Sequence, residues 1–598
     1  MTERVRRLAL VALIAIGGCR GKKEKPAQDQ GNAAAAPARD AAPAAAPAAP
    51  VADAAELWAL APRHARIGLV AGDGALAKLV TVAGGVADVT DDQPASRRWL
   101  ADARSALAGL LGIDLFDPRA RRTAGIDLAR GAALFLDGDG APLLVVMPAA
   151  SAASLPGATS AGDAGTPDVR VDDRVCRDLR GRVACAWDAA VLGQLAASSD
   201  RAPLAELAAG RTTADRGDLT MIADVPHIAA LDGVRARATS VLRAIGPLYA
   251  AIDLGGGSAS LRVHLVGHPG DPWGHLLAVP TADAAGRDRA ATSATAVRLR
   301  VRPELIDGAL AGALGLDDAA AHLLTGDVTV LGRGHGPLAG EVRLGVTDPG
   351  AARALLPRLC NTVIAPMAMI ERLDDHGCRA SISPRDALGA SALGSGALAA
   401  LDHVPVVLDL DGGALRLHVG DSGPGLPAAP PVTPLAVADA QLSVRVAAAD
   451  PLEPVDGVLA AWVTGQLGRL PVSRRNMVAG ARWALAHLDQ LQLAVGFAGD
   501  GLRAELAVTG VAADPQAAYQ AYREALTAVW DAPPAAQRAR FEAVARAHPG
   551  TRAARRVAAA LGGAPEVGPM TVIAALALPS VTGYLSESEG GRRRHNRR

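Results

Sequence analysis

Aromatic side chains are scarce in this sequence of 598 residues, where Phe, Trp and Tyr together make up 3%. Surfaces that bind sugars or single-stranded nucleic acid use aromatic rings as stacking platforms, so the scarcity disfavours both activities. Net charge is absent as well, because 61 Lys and Arg residues balance 61 Asp and Glu residues. No overall field attracts the chain to nucleic acid, and we expect no nucleic-acid partner.

Signatures of catalysis and cofactor binding are also missing. The sequence contains no Walker loop, dinucleotide-binding fingerprint, HExxH, GxSxG or CxxC motif. Lysine occurs only at positions 22, 23, 25 and 78, while alanine, glycine and arginine are abundant, a composition typical of a GC-rich bacterial genome. The arginine count is therefore a weak indicator of a binding surface. We predict that the protein is not an enzyme and that it holds no cofactor.

The amino terminus has three parts, namely basic residues between positions 4 and 7, an apolar run at 8–16, and the segment Ile16-Gly17-Gly18-Cys19. The apolar run is too short to span a bilayer but has the length and flanks of a secretory signal. The segment resembles the lipobox of bacterial lipoproteins. The resemblance implies a signal peptide at 1–19, a lipid on Cys19, and attachment to a membrane without crossing it. An ordinary signal or short anchor with an incidental cysteine is the alternative.

Residues 20–55 are rich in alanine and proline and cannot bury a core. We predict a disordered tether that holds the body of the protein away from the membrane. Arg20 stands where lipoproteins retained at the inner membrane have an aspartate. The resemblance therefore implies an envelope location, at an outer membrane, facing the periplasm or the cell surface.

Four cysteines remain after Cys19, and they form two local pairs. A two-residue turn at positions 180 and 181 places Cys176 directly opposite Cys185, in a non-hydrogen-bonded pair whose short Cα separation suits a disulfide. A bond between Cys360 and Cys378 would contribute about 3 kcal/mol by closing its loop. Two disulfides are typical of an exported protein. Free buried thiols are the alternative for each pair.

Local signals place several elements. The segment Asp137-Gly138-Asp139-Gly140 predicts the turn of a hairpin at 132–147, and no acidic residue stands where a calcium loop would need one. Apolar spacing predicts a helix at 97–111. The pair Asp348-Pro349 predicts a helix start, with the helix running to residue 359.

The second strands of three predicted hairpins, at 261–265, 415–419 and 502–506, have similar sequence patterns. In each strand alternate residues are apolar and the intervening ones are polar, which is typical of an antiparallel sheet with one solvated face. We therefore predict that the arginines and histidines of these strands face solvent and that the leucines face the core.

We interpret the chain as an α+β protein with two related modules, at 56–290 and 291–511. Each module is predicted to be an antiparallel sheet with helices on one face. Chance similarity between β-hairpins is the alternative to a repeat. A helical segment at 512–563 and an apolar, then basic, tail at 564–598 follow.

The helical segment contains a stretch, 540–561, that is similar to one unit of the tetratricopeptide-type helical hairpins of envelope assembly proteins. One such unit cannot bury its own apolar face, so we expect the segment to cap the second module. For the tail, docking on the body, contact with a membrane surface and disorder all remain open.

The densest group of metal-ligand residue types is His264, His268, Asp271 and His275. Zinc needs three or four such ligands that converge on one point. His264 is expected on a solvated strand face, however, and residues 268–272 have ordinary turn chemistry. We therefore predict no metal site and keep the four residues as weak candidates.

A sequence pattern runs from 111–118 through 124–127 to the strand at 132. It resembles a pattern that recurs in uncharacterised exported proteins and is common in myxobacterial-type lipoproteins of unknown function. Residues 324–359 fit the same resemblance, which implies an envelope location and no known reaction. Our first hypothesis is a non-enzymatic lipoprotein that binds an envelope protein partner or organises the envelope. The second is a ligand-binding lipoprotein with a cleft between the modules, and the third is an undetected hydrolase.

Overall fold

The computed structural model describes residues 54–90, 94–160, 168–179, 181–197, 202–212, 215–228, 245–255, 258–267, 290, 296–300, 322–331, 335–365, 368–382, 404–421, 440–447, 490–498, 501–510, 516–527, 534–551, 553, 554 and 557. The predicted signal peptide, most of the predicted tether and the tail lie outside these residues. The chain divides into two compact units, Met1–Arg237 with Pro247–Ser258, and Ala238–Gly246 with Ala259–Arg598. Each unit is described by itself below.

The described residues mix α-helices with a large antiparallel sheet, as the α+β prediction requires in its coarse form. The strands are β1 (Ile67–Ala71), β2 (Ala132–Leu136), β3 (Pro142–Met147), β4 (Thr159–Ser160), β5 (Val169–Val171), β6 (Arg174–Leu179), β7 (Arg182–Ala186), β8 (Leu219–Ala223), β9 (Ile245–Gly255), β10 (Ser258–Gly267), β11 (Ala296–Arg300), β12 (Leu324–Leu331), β13 (His335–Val346), β14 (Met369–Asp374), β15 (Gly377–Ile382), β16 (Val404–Asp411), β17 (Ala414–Asp421), β18 (Leu442–Ala447), β19 (Gln490–Ala498) and β20 (Gly501–Thr509).

Nine α-helices lie within the same described part of the chain. They are α1 (Ala55–Trp58), α2 (Ala75–Thr90), α3 (Pro94–Leu111), α4 (Pro118–Ala124), α5 (Ala189–Ala197), α6 (Pro203–Gly210), α7 (Pro349–Leu359), α8 (Gln516–Thr527) and α9 (Pro534–Ala547). None of the described helices is long and apolar enough to cross a membrane.

In the first unit the strands pair antiparallel in the order β4, β5, β6, β7, β3, β2, β1, β8, β9. One face of this sheet packs against the loops and helices between β1 and β2. The core on that side includes Ile113, Ala124, Val145 and Met147, all less than 5% exposed. The predicted hairpin at 132–147 is confirmed by β2 and β3. Asp137 stabilises its turn by accepting hydrogen bonds from the backbone N–H groups of Asp139 and Ala141.

The opposite face of the sheet in the first unit is also covered by side chains. The ring of Trp58 lies edge-on to Phe135, with ring centroids 6.1 Å apart, and both residues are buried. The guanidinium of Arg211 stacks over the Trp58 ring. The prediction of helices on one face was wrong for this unit. Val145 and Val146 are neighbours in sequence and both fully buried, so the strand is apolar on both sides and needs cover on both.

In the second unit the strands pair antiparallel in the order β14, β15, β16, β17, β13, β12, β11, β18, β19, β20. Helix α7 begins at Asp348, as predicted, because the Asp348 side chain accepts hydrogen bonds from the backbone N–H groups of Gly350 and Ala351. The helix packs Leu356 and Leu359 onto the apolar face of the sheet, against Leu408 and Leu415.

The carboxy-terminal helices have a core of their own. Tyr522 from α8 and Phe541 and Val544 from α9 pack with Ala553 and Val557, and Tyr522 is 1% exposed. The described members of this cluster all come from the helical segment itself. The segment therefore buries apolar side chains within itself, and this packing does not require contact with the second module.

Candidate functional site

Both predicted disulfides are formed. Cys176 and Cys185 face each other across β6 and β7 with their Cα atoms 4.0 Å apart, in the predicted register. Cys360 and Cys378 are joined between the end of α7 and β15, with Cα atoms 6.1 Å apart. The four side chains are buried, with exposures of 4% or less. Cys19, the predicted lipidation site, lies outside the described residues.

Of the four weak metal candidates only His264 lies in the described part of the chain, because His268, Asp271 and His275 fall in a range that the structure does not describe. The described residues contain no group of three or more His, Cys, Asp or Glu side chains arranged to hold a metal ion. His264 is 7% exposed. The prediction that it faces solvent was wrong.

The second unit carries a row of charged side chains on the sheet face opposite α7. We call this the charged face. Direct cross-strand neighbours place Arg298, Thr329, Arg343 and Arg416 side by side on β11, β12, β13 and β17. The next row on the same face contains Glu341 opposite His418, and Asp327 lies beside the first row. The residues of the charged face are Arg298, Asp327, Thr329, Glu341, Arg343, Arg416 and His418.

Ion pairs link the arginines of the charged face to carboxylates on the same strand, on the neighbouring strand or, for Arg343 and Asp411, two strands away. Arg298 donates two hydrogen bonds to Asp327, from Nε at 3.1 Å and from Nη2 at 2.9 Å. Arg343 donates from Nη1 to Glu341 at 3.2 Å and to Asp411 at 2.8 Å. The Arg343 side chain has no exposed surface. Such buried charges persist only when they are paired and hydrogen-bonded.

Arg416 extends the network toward β16. Its Nε donates to Oδ1 of Asp409 at 2.8 Å, and this hydrogen bond raises the pKa of the Arg416 guanidinium. A second carboxylate, Asp411, lies 3.5 Å from its Nη1. Asp411 therefore contacts both Arg343 and Arg416 and couples the two pairs into one network.

Two polar atoms of the charged face are buried without a hydrogen-bond partner, Nε2 of His418 and Oγ1 of Thr329. The two side chains belong to residues that are 9% and 1% exposed. A buried polar group without a partner costs about 1–3 kcal/mol, which is the feature expected where a bound group supplies the missing contact. The histidine was predicted to face solvent, and that prediction was wrong.

Burial of this face explains the error. Strand alternation correctly divided the polar from the apolar face, and Leu415 lies in the core as expected. Alternation carries no information about what lies over the polar face, however. A signal that would have found part of the network is the pair of opposite charges at facing positions of one predicted hairpin, Asp409 on β16 and Arg416 on β17.

Most of the charge in the network is compensated internally, because three arginines face four carboxylates at hydrogen-bonding distance. A highly charged ligand would have to displace one of these pairs. A neutral polar ligand would not, and it would find Nε2 of His418 and Oγ1 of Thr329 available. Comparison with known proteins adds no assignment, because no family model, curated protein or solved structure matches the chain.

Proposed function

We propose that the protein is an exported lipoprotein, held at the cell envelope by a lipid on Cys19, that binds a protein partner rather than catalysing a reaction. The observation that carries this proposal is the use of the cysteines. Four of the five are consumed in two buried disulfides, which persist in oxidising compartments and are rare in the cytosol. Cys19 is the one left over, at the end of a signal-like segment.

We propose further that the body consists of two related α+β modules, at 56–290 and 291–511. The support is the order of strand pairing. Eight pairings within β1–β9 recur within β11–β19 when each strand number is raised by ten, from β1 with β2 and β8 to β11 with β12 and β18. The remaining six are β2–β3, β3–β7, β6–β7, β5–β6, β4–β5 and β8–β9, with their six counterparts. Unrelated hairpins would not share so long an order.

The other parts of the chain complete the proposed arrangement. Residues 20–55 act as the tether, and residues 512–563 form a helical segment with its own core, supported by the packing of Tyr522 against Phe541. The duplicated body is then displayed at a distance from the membrane, facing the periplasm or the cell surface.

The anchor is tested by comparing the full chain with its Cys19→Ser variant. We expect the full chain to incorporate an alkyne-tagged fatty acid and to sediment with membranes. The variant is expected to lose the label and to leave the membrane fraction. Cys176→Ser is the matched control, because it replaces a disulfide-bonded cysteine elsewhere and should leave labelling unchanged. A full chain that carries no label and is recovered from the cytosol refutes the proposal.

A specific observation favours a second function, the binding of a neutral polar ligand on the charged face. His418 and Thr329 present buried polar atoms with no partner there. Native mass spectrometry of the full chain, purified from its own membranes, measures this directly. A small-molecule adduct that is lost in the His418→Leu variant but kept in the exposed control His376→Leu would favour ligand binding. The absence of any adduct contradicts it.

A further inference from the structure

Strand β14 exposes large apolar side chains at the end of the strand order in the second unit. Met369 is 69% exposed and Leu373 is 42% exposed, and among the described residues they are the exposed large hydrophobic side chains. Within the described part of the chain β14 pairs with β15 alone. An edge strand of this kind offers unpaired backbone groups to another strand.

The matching strand of the first unit is built differently. β4, which occupies the same place in the pairing order as β14, has only two residues, Thr159 and Ser160, and both are polar. A very short polar edge is a usual protection against pairing with another chain. β14 is six residues long and apolar at two exposed positions, so the second unit lacks this protection.

The four central residues of β14, Ile-Glu-Arg-Leu, are complementary to themselves when two copies run antiparallel. We infer that β14 pairs with β14 of a second copy of this chain, about a two-fold axis between Glu371 and Arg372. In this register Glu371 lies opposite Arg372 of the second copy, and Ile370 lies opposite Leu373. Opposite charges and apolar pairs at facing positions stabilise antiparallel strands. A two-fold axis forms each of these pairs twice.

The local geometry of β14 supports this register. A register shift between Ile370 and Arg372 places Ile370 opposite Ala380 and Leu373 opposite Cys378. Ala380 and Cys378 are two residues apart on β15, so Ile370 and Leu373 share one face of the sheet. The two apolar side chains therefore lie on the same side of the strand, where they can meet their counterparts in a second copy.

The charged residues of β14 are free to exchange partners. Arg372 donates to Asp374 of its own strand at 2.8 Å, but the Arg372 side chain is 75% exposed. Glu371 is 4.0 Å from Arg379, and these side chains are also largely exposed. Exposed pairs of this kind contribute about 1 kcal/mol or less, so they do not oppose pairing with a second chain.

A pair of six-residue strands buries less surface than the roughly 1,200 Å² of a standard stable interface. We therefore expect a weak dimer, with a dissociation constant of about 1 μM or higher. Sedimentation equilibrium of the full chain in detergent, at concentrations up to about 100 μM, measures such an association.

Charge reversal provides the decisive comparison. Glu371→Arg and Arg372→Glu each place like charges opposite one another twice, so each variant alone should self-associate about tenfold or more weakly than the native chain. An equal mixture of the two restores both opposite-charge pairs and should give a mixed dimer. The Glu371→Arg/Arg372→Glu double variant should dimerise like the native chain. Asp375→Arg in the adjoining turn, where the side chain is 81% exposed, is the control and should change nothing.

Recovery in the mixture also shows that both variants are folded. A native chain that remains monomeric over the whole concentration range overturns the inference. A dimer that Glu371→Arg and Arg372→Glu leave unchanged overturns it equally, because that dimer would use another surface. Neither outcome depends on the lipid or on the proposed partner, so this inference and the proposed function fail separately.

Discussion

Arg298 and Asp327 join the neighbouring strands β11 and β12 through two hydrogen bonds between side chains that are 10% and 1% exposed. Both charges have left water, so each needs a compensating partner within the fold. Removing one partner leaves a buried, uncompensated charge, which typically costs 3–5 kcal/mol. We expect Asp327→Ala to lower the free energy of unfolding by about that amount, measured by urea denaturation.

The matched control for Asp327→Ala is Asp375→Ala, which breaks the exposed pair between Asp375 and His376. Its effect should stay below about 1 kcal/mol. The double variant Arg298→Met/Asp327→Leu removes both charges and should recover most of the loss, because neither charge of this pair is then left buried without the other. Equal effects of the two single Asp→Ala changes would contradict the view that burial makes the Arg298 pair different.

The two disulfides give a second prediction. Replacing Cys176 and Cys185 together by alanine should lower the free energy of unfolding by about 2–3 kcal/mol, and replacing Cys360 and Cys378 by about 3 kcal/mol, since the second bond closes a longer loop. Both changes also remove buried sulfur atoms from the core. Differential scanning calorimetry measures the two losses. Cys19→Ala is the control and should leave the unfolding transition of the body in place.

The pair of Asp168 and Arg177 predicts a dependence on pH. Arg177 donates hydrogen bonds to both carboxylate oxygens of Asp168 at 2.7 and 2.9 Å, and this lowers the pKa of Asp168 below its usual value. A carboxylate with a lowered pKa in the folded state contributes stability above its unfolded pKa of about 3.9 and loses it as the pH falls. The contribution should be about 1 kcal/mol or less, because Arg177 is one-third exposed.

The test compares the native chain with Asp168→Asn by urea denaturation between neutral pH and acid. The difference in unfolding free energy should be constant near pH 7 and should shrink as the pH falls below about 4. Asp139→Asn is the control, since its turn is held by the side chain of Asp137 instead. A difference that grows toward acid would have the wrong sign for a lowered pKa.

Much of the local structure could be predicted because it depends on neighbouring residues. The turn after Leu179 determines that Cys176 meets Cys185, and Asp348 begins α7 through bonds to residues two and three positions away. Strands β14 and β15 were missed, because Glu371 and Arg372 interrupt any alternation of apolar and polar residues. Two adjacent charged residues in the middle of a strand give the sequence pattern of a loop, and only the pairing with β15 identifies the segment as a strand.

The charged face could be divided from the apolar face but could not be recognised as buried. That property depends on contacts distant in the chain, such as Arg343 with Asp411, 68 positions away. The same applies to the cover on the second face of the first unit, where Trp58 lies against β1 and β2. Sequence periodicity distinguishes the polar from the apolar face of a strand. Packing between segments distant in the chain determines which of these faces is exposed to solvent.

Gly68 gives the last prediction, because the Trp58 ring lies close against β1 at this residue. A methyl group at residue 68 would lie 2.5 Å from Cζ3 of Trp58 and 3.2 Å from Cδ1 of Phe135. Both rings are buried, so neither can move without opening the core. We expect Gly68→Ala to lower the unfolding free energy by about 1–3 kcal/mol through overpacking. It should also shift the fluorescence of Trp58 toward that of a solvated ring.

Gly109→Ala is the matched change. Gly109 lies in α3 with no atom within 4 Å of the added methyl group, so the variant should gain about 0.5–1 kcal/mol from helix propensity. The same substitution is thus expected to have opposite signs at the two positions. If Gly68→Ala were also neutral or stabilising, the Trp58 ring could not be seated against β1, and the first unit would have one covered face instead of two.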